Sequence, residues 1–222
     1  MFNEIAKNYD RTNKILSLGL DGRWRRRAVK RLDPQPNRVY LDAGCGTGDV
    51  SILIAKRSRR CRVVGIDPSE GMLRIGMSKI EKAGLSEKIS MKTGDILNLD
   101  FPDRNFDGAI TAFCIRNVTD RKQALAELLR VIRPGGQLVI LELTEPAGIM
   151  KHLFKFYSRV AMPVVTALMS SAPAYRYLSD SMTDFPKPEA WLGLMEDCGF
   201  VNTETESLTG GIARIFSGRV PS

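Results

Sequence analysis

The chain has 222 residues, 43% hydrophobic and 26% charged, which is enough for one α/β domain with a full core and thin for two. No basic start leads into an apolar stretch, so no signal peptide is expected, and no run reaches the ~20 apolar residues that span a bilayer. The net charge is +8, and the four cysteines (Cys45, Cys61, Cys114 and Cys198) form no CxxC pair beside the single histidine, His152, which excludes a zinc site and points to a reducing, cytoplasmic compartment.

Residues 1–33 carry nine Lys/Arg against four acids, a net +5 of the chain's +8. They are expected to form a basic helical arm suited to an anionic surface, phospholipid or nucleic acid, or a solvated face that serves solubility. From residue 38 onward, short apolar runs alternate with helical periods. Strands are expected at 38–44, 61–67, 88–95, 106–113 and 137–143, and helices at 49–58, 71–84 and 121–132, with a turn at Arg133-Pro134-Gly135-Gly136. That alternation predicts βαβ units and a parallel sheet. Two further strands, 200–208 and 212–220, flank Gly210-Gly211 and predict an antiparallel pair closing one edge.

Residues 147–185 stand outside this alternation, as an insertion before the last helix. Lys151, Lys155 and Arg159 are spaced four apart and share a helix face. Val160–Tyr175 carries no charge and is interrupted by Pro163 and Pro173. The segment reads as a helical lid, either packed on the core or covering an apolar substrate with its basic stripe toward lipid head groups. The whole chain, 1–222, is read as one domain.

The strongest motif is Asp42-Ala43-Gly44-Cys45-Gly46-Thr47-Gly48-Asp49, which ends a strand and opens a helix. Its glycines permit a tight turn and close approach of a ligand to the backbone. The spacing is G-x-G-x-G rather than G-x-G-x-x-G, and the flanking Asp42 and Asp49 repel a pyrophosphate. They suit a ligand with an amino group and a sulfonium, as in S-adenosylmethionine (SAM). Asp67, at the tip of the second strand, is placed to accept both ribose hydroxyls. Asp95, after the third strand, is placed to accept from the adenine amino group. The Ile96 backbone N–H is expected to donate to the ring, and Met72 to pack on its face. These features fall in order at the carboxyl ends of successive strands, where open α/β sheets bind ligands. The expected fold is therefore a Rossmann-like α/β domain of the class I SAM-dependent methyltransferase kind, a mostly parallel seven-stranded sheet with an antiparallel edge strand.

The fourth strand runs into Phe113-Cys114-Ile115-Arg116-Asn117-Val118. No Asn-Pro-Pro-Tyr follows it, and no Pro-Cys pair makes Cys114 a nucleophile, so Cys114 reads as a small packing residue.

Across nearly its whole length the sequence resembles the ubiquinone/menaquinone biosynthesis C-methyltransferase family. The likeness lies in the opening MFNEIAKNYDRTNKILSLGLDGRWRR, in DAGCGTGD, GIDPSEGML and RNVTD, and in YRYLSDSMTDFP and LTGGIA. Many members carry Ser at Ala112, Gly at Cys114 and His at Phe216. The resemblance implies SAM contacts at Thr47, Asp67 and Asp95-Ile96, with Tyr9, Arg116 and Asn117 facing a quinone ring. It implies methylation of a prenylated quinol, demethylmenaquinol to menaquinol or a ubiquinone precursor. Arg116 is then expected to stabilise the developing phenolate, Asn117 and Tyr9 to orient the ring oxygens, and water or Asp49 to take the proton. A membrane-borne substrate implies transient docking on the inner, anionic membrane surface and no nucleic-acid partner. An RNA methyltransferase, one with another small acceptor, and a non-catalytic SAM-binding scaffold are the alternatives.

Overall fold

The computed structural model describes residues 14, 17–146, 148, 150, 152 and 185–222. Tyr9 and nearly all of the 147–185 insertion, with Lys151, Lys155 and Arg159, lie outside the described residues.

A helix α1 (Asp21–Leu32) leads into the alternating series β1 (Val39–Ala43), α2 (Asp49–Arg57), β2 (Arg62–Asp67), α3 (Glu70–Lys82), β3 (Ile89–Thr93) and β4 (Phe106–Ala112). A 3-10 turn (Ile115–Asn117) and α4 (Arg121–Val131) lead to β5 (Ile132–Leu143), and α5 (Pro188–Asp197), β6 (Val201–Leu208) and β7 (Ala213–Arg219) complete the fold. The helix starts follow local chemistry. The Ser69 side chain accepts from the Met72 N–H at 3.3 Å, and Asp120 accepts from the Gln123 N–H at 2.9 Å, so each satisfies a donor that the first turn leaves open.

The seven strands lie in the order β3-β2-β1-β4-β5-β7-β6. Pairing is parallel from β3 through β5, and β7 runs antiparallel to both β5 and β6. The antiparallel edge pair expected from the sequence is present, with the reversed strand one position in from the edge. Chain order reverses between β1 and β4, so the crevice of the sheet opens above those two strands.

Alternate residues of each strand feed separate cores. Leu138 and Ile140 of β5 face α4 and α5 with Phe106, Leu128, Trp191 and Phe216, whereas Val139 and Leu141 face the other way with Ile54, Val63 and Ile110. Both faces are covered, which is why the central strands read as unbroken apolar runs.

Two expectations are corrected. Arg133–Gly136 does not precede the fifth strand but lies within the span of β5 as an irregularity: Phe106 pairs with Ile132 and Gly108 with Gln137, so the four residues bulge out of the ladder opposite Asp107. Gly135, at φ 74°, bends the strand there, and its N–H donates to the Val220 carbonyl at 2.9 Å. The basic segment is also no free arm where it is described. Trp24, Ala28, Val29 and Leu32 of α1 are buried against the sheet, and the Trp24 indole N–H donates to Thr209 Oγ1 at 2.9 Å. Arg27 and Arg31 are tied to Glu206 and Glu204 of β6, leaving Arg23, Arg26 and Lys30 as the outward cations.

Candidate active site

The carboxyl ends of β1, β2, β3 and β4 surround a cavity of about 250 Å³. Gly44 and Gly46 form one wall, Asp67, Pro68 and Met72 another, and Asp95, Ile96 and Leu97 a third. Ala112, Phe113, Cys114, Asn117, Val118 and Thr119 close the side that follows β4.

The glycine loop is held from β2. Gly44 N–H and Cys45 N–H both donate to the Ile66 carbonyl, at 2.8 and 2.9 Å, and Gly46 N–H donates to Asp67 Oδ2 at 2.9 Å. Gly44 and Gly46 have φ of 74° and 53°, a region that costs an L side chain energy. They are required for different reasons. A Cβ on Gly46 would meet open space, so only its backbone conformation demands glycine. A Cβ on Gly44 would lie 2.3 Å from Cys114 Sγ, so close packing between the β1 and β4 loops demands it as well.

Asp67 accepts from Gly46 N–H with one oxygen and from Ser69 N–H with the other, each at 2.9 Å. Burial raises its pKa, and those two N–H groups oppose the rise. The carboxylate therefore locks the glycine loop to β2 while facing the cavity. Asp95 Oδ1 accepts from Leu97 N–H at 2.9 Å, which fixes the turn that sets Ile96 beside it. Met72 and Ile96 are almost wholly buried and contribute apolar wall. The donor set fits an adenosyl ligand: a strand-end acid for vicinal hydroxyls, an acid and a backbone amide for a purine edge, and a thioether for its face.

Several predicted residues stand elsewhere. Asp42 does not line the cavity; it is 1% exposed beneath the loop, accepting from Ser51 Oγ at 2.6 Å. Burial pushes its carboxyl up to about 7, against the pull of the Ser51 contacts. Thr47 is likewise buried outside the lining, accepting from Lys79 Nζ at 3.1 Å, and Asp49 is ion-paired to the same lysine, also outside the lining. Asn117 lines the cavity as expected, but Arg116 does not. Its side chain is 7% exposed and forms an ion pair with Glu142, which is fully buried on β5. Tyr9 lies outside the described residues.

Cys114 faces the cavity, and burial pushes its thiol up to about 12, with Glu142 and Asp67 adding to the rise. That shift favours the protonated thiol and fits a small packing residue. Glu142 escaped the sequence reading, although a lone acid inside the run QLVILEL is the signal that marks it. Phe113 also escaped notice as a wall residue. It takes φ 58°, and such a conformation in an aromatic residue persists only where packing holds it.

The model of the ubiE/COQ5 methyltransferase family matches residues 1–219. The chain is 41% identical over 220 residues to a Geotalea daltonii protein named ubiquinone/menaquinone biosynthesis C-methyltransferase UbiE, covering 98% of this chain and 94% of that one. It is 40% identical to a Bacteroides fragilis demethylmenaquinone methyltransferase, covering 98% and 89% of the two. Among solved structures, the fold matches phosphoethanolamine N-methyltransferase 2 of Haemonchus contortus in complex with SAM. There the TM-score is 0.67 at 17% identity, over 87% of this chain and 51% of that one.

Proposed function

The chain belongs to the ubiE/COQ5 methyltransferase family, and from that premise we propose that it moves the SAM methyl group to a ring carbon of a prenylated quinol, the displaced ring proton passing to water and the cofactor leaving as S-adenosylhomocysteine, so that demethylmenaquinol becomes menaquinol. The observation that carries the reading is that Asp67, Asp95 and Ile96 share one cavity with Asn117, so a cofactor subsite and an acceptor side open onto each other. The curated relatives at about 40% identity bear names of that same chemistry.

SAM supplies, when bound, a methyl group made electrophilic by its sulfonium. Asp67 would hold the ribose, and Asp95 with Ile96 N–H the adenine edge. Met72 packs on the base. These residues would fix one end of the cofactor in the cavity that the β4 side closes. Asn117 orients a ring oxygen there. Arg116, one residue back and held off the cavity by the buried Glu142, acts as a positioning residue for the turn that carries Asn117. Tyr9 is assigned to the ring on the strength of the family likeness. Alignment in a cavity shielded from water supplies most of the rate gain, for which effective molarity sets a ceiling of about 7–11 kcal/mol.

A prenylated acceptor resides in a bilayer, so the protein works at the inner membrane surface as a transient visitor. The outward Arg23, Arg26 and Lys30 of α1 provide the charge for this. Among the described residues no helix is long and apolar enough to cross a membrane.

The deciding experiment offers labelled SAM with demethylmenaquinol, with total RNA, and alone. Label in the quinol supports the proposal. Label in RNA replaces the acceptor, and label in neither leaves a SAM-binding scaffold.

A further inference from the structure

The cavity assigns places for ribose and adenine at the β2 and β3 ends. The part of the cavity left for the remaining end of an adenosyl amino acid is lined by Gly44, Phe113 and Cys114. That end is a zwitterion, and a carboxylate moved out of water there needs a cation. Three cations on described elements stand near the loop. Lys79 lies behind the loop with Asp49 and Thr47, and Arg116 is turned away to Glu142 on β5. The third is Arg25.

Arg25 lies in the first turns of α1. Because Leu32 must deliver the chain to the start of β1 at the far edge of the sheet, α1 begins at the cavity edge. Two contacts bear this out. The Arg25 guanidinium lies 5.2 Å from the centroid of the Phe113 ring, and the Trp24 and Phe113 rings are 6.4 Å apart. The Arg25 side chain is only 11% exposed and is steadied by Asp21, one turn back on the same helix. A guanidinium carries five N–H donors in a planar fork, so one acid partner does not exhaust it.

We infer that Arg25 is the group that binds the carboxylate at the methionine end of the cofactor, a reading that rests on the SAM assignment above. The zwitterion is thereby divided, with Arg25 taking its carboxylate from the α1 side and Asp42 favouring its ammonium from beneath the loop. The stacked Trp24, Arg25 and Phe113 also tie the basic helix to the cavity wall, so the N-terminal part of the chain is a component of the cofactor site.

The test is calorimetric binding of two ligands, SAM and decarboxylated SAM, to the full-length protein and to Arg25→Gln and Arg25→Lys. Decarboxylated SAM keeps the adenosyl, sulfonium and ammonium groups and lacks only the carboxylate. Arg25→Gln is expected to weaken SAM by about tenfold to a hundredfold, the range of a charge-assisted hydrogen bond, and to change decarboxylated SAM by less than about twofold. Arg25→Lys, which keeps the charge and loses the fork, is expected to fall between. Equal weakening of both ligands assigns Arg25 to fold maintenance and overturns the proposal, as does no weakening of either. Failure of the unmodified protein to bind SAM at all overturns the SAM assignment itself, and this subsite with it.

Discussion

Arg116 and Glu142 form a buried ion pair that joins the turn after β4 to the neighbouring strand β5, with side-chain exposures of 7% and 0%. Glu142 Oε2 also accepts from the Arg116 backbone N–H at 3.2 Å, and Oε1 from Leu143 N–H at 2.9 Å. One carboxylate thus fixes both the backbone and the head group of the arginine next to Asn117. Removing it strands a charge in the interior, so Glu142→Ala is expected to lose about 3–5 kcal/mol of stability, read from urea unfolding. Glu142→Gln keeps the volume and is expected to lose less stability but still lower kcat, with cofactor affinity unchanged. A Glu142→Ala loss below about 1 kcal/mol contradicts the anchoring role.

The Gly44–Cys114 contact predicts a rescue. Gly44→Ala places a methyl 2.3 Å from Cys114 Sγ and 2.6 Å from its Cβ, at φ 74°. The left-handed backbone alone costs about 1–2 kcal/mol, and the overlap adds to it. Adding Cys114→Gly removes both offending atoms. The double variant is expected to regain the steric share of Tm and cofactor affinity, leaving only the backbone cost. A double variant no better than Gly44→Ala rules out this contact as the reason for glycine.

Stability is expected to respond to pH through Asp42. Its folded pKa is about 7, raised by burial from an ordinary 3.8. Between those values the folded chain keeps a proton that the unfolded chain has released, so this group's contribution falls as pH rises from about 4 to about 7. Asp42→Asn removes that slope. Relative to the native chain, the variant is expected to be more favoured at pH 8 than at pH 5, measured by urea unfolding at both. The difference should be flat if Asp42 titrates normally. SAM affinity is expected to move oppositely in the native protein, rising through neutrality as the carboxylate ionises.

The basic helix divides into two sets of charges. Arg23, Arg26 and Lys30 point outward, whereas Arg27 and Arg31 are ion-paired to β6. At about 1 kcal/mol per cation near an anionic surface, replacing the outward three by Gln is expected to weaken binding to phosphatidylserine vesicles roughly a hundredfold at low salt. Replacing Arg27 and Arg31 is expected to matter less, because Glu206 and Glu204 already offset them. These exposed pairs contribute at most about 1 kcal/mol to stability. Equal effects of the two sets contradict the division.

The strand and helix order, the glycine loop and the strand-end acids Asp67 and Asp95 were determined by the sequence alone. Period and punctuation are local properties, and parallel βαβ units leave one arrangement in which those tips converge. The tertiary structure decided the rest. It set Asp42 and Thr47 behind the loop, turned Arg116 to Glu142, folded Arg133–Gly136 into β5, and brought Trp24 and Arg25 against Phe113 from almost ninety positions away in the chain. A sequence states which side chains carry charge. Whether that charge meets a ligand or a partner depends on neighbours supplied by other strands, and desolvation decides the matter only after the strands have paired.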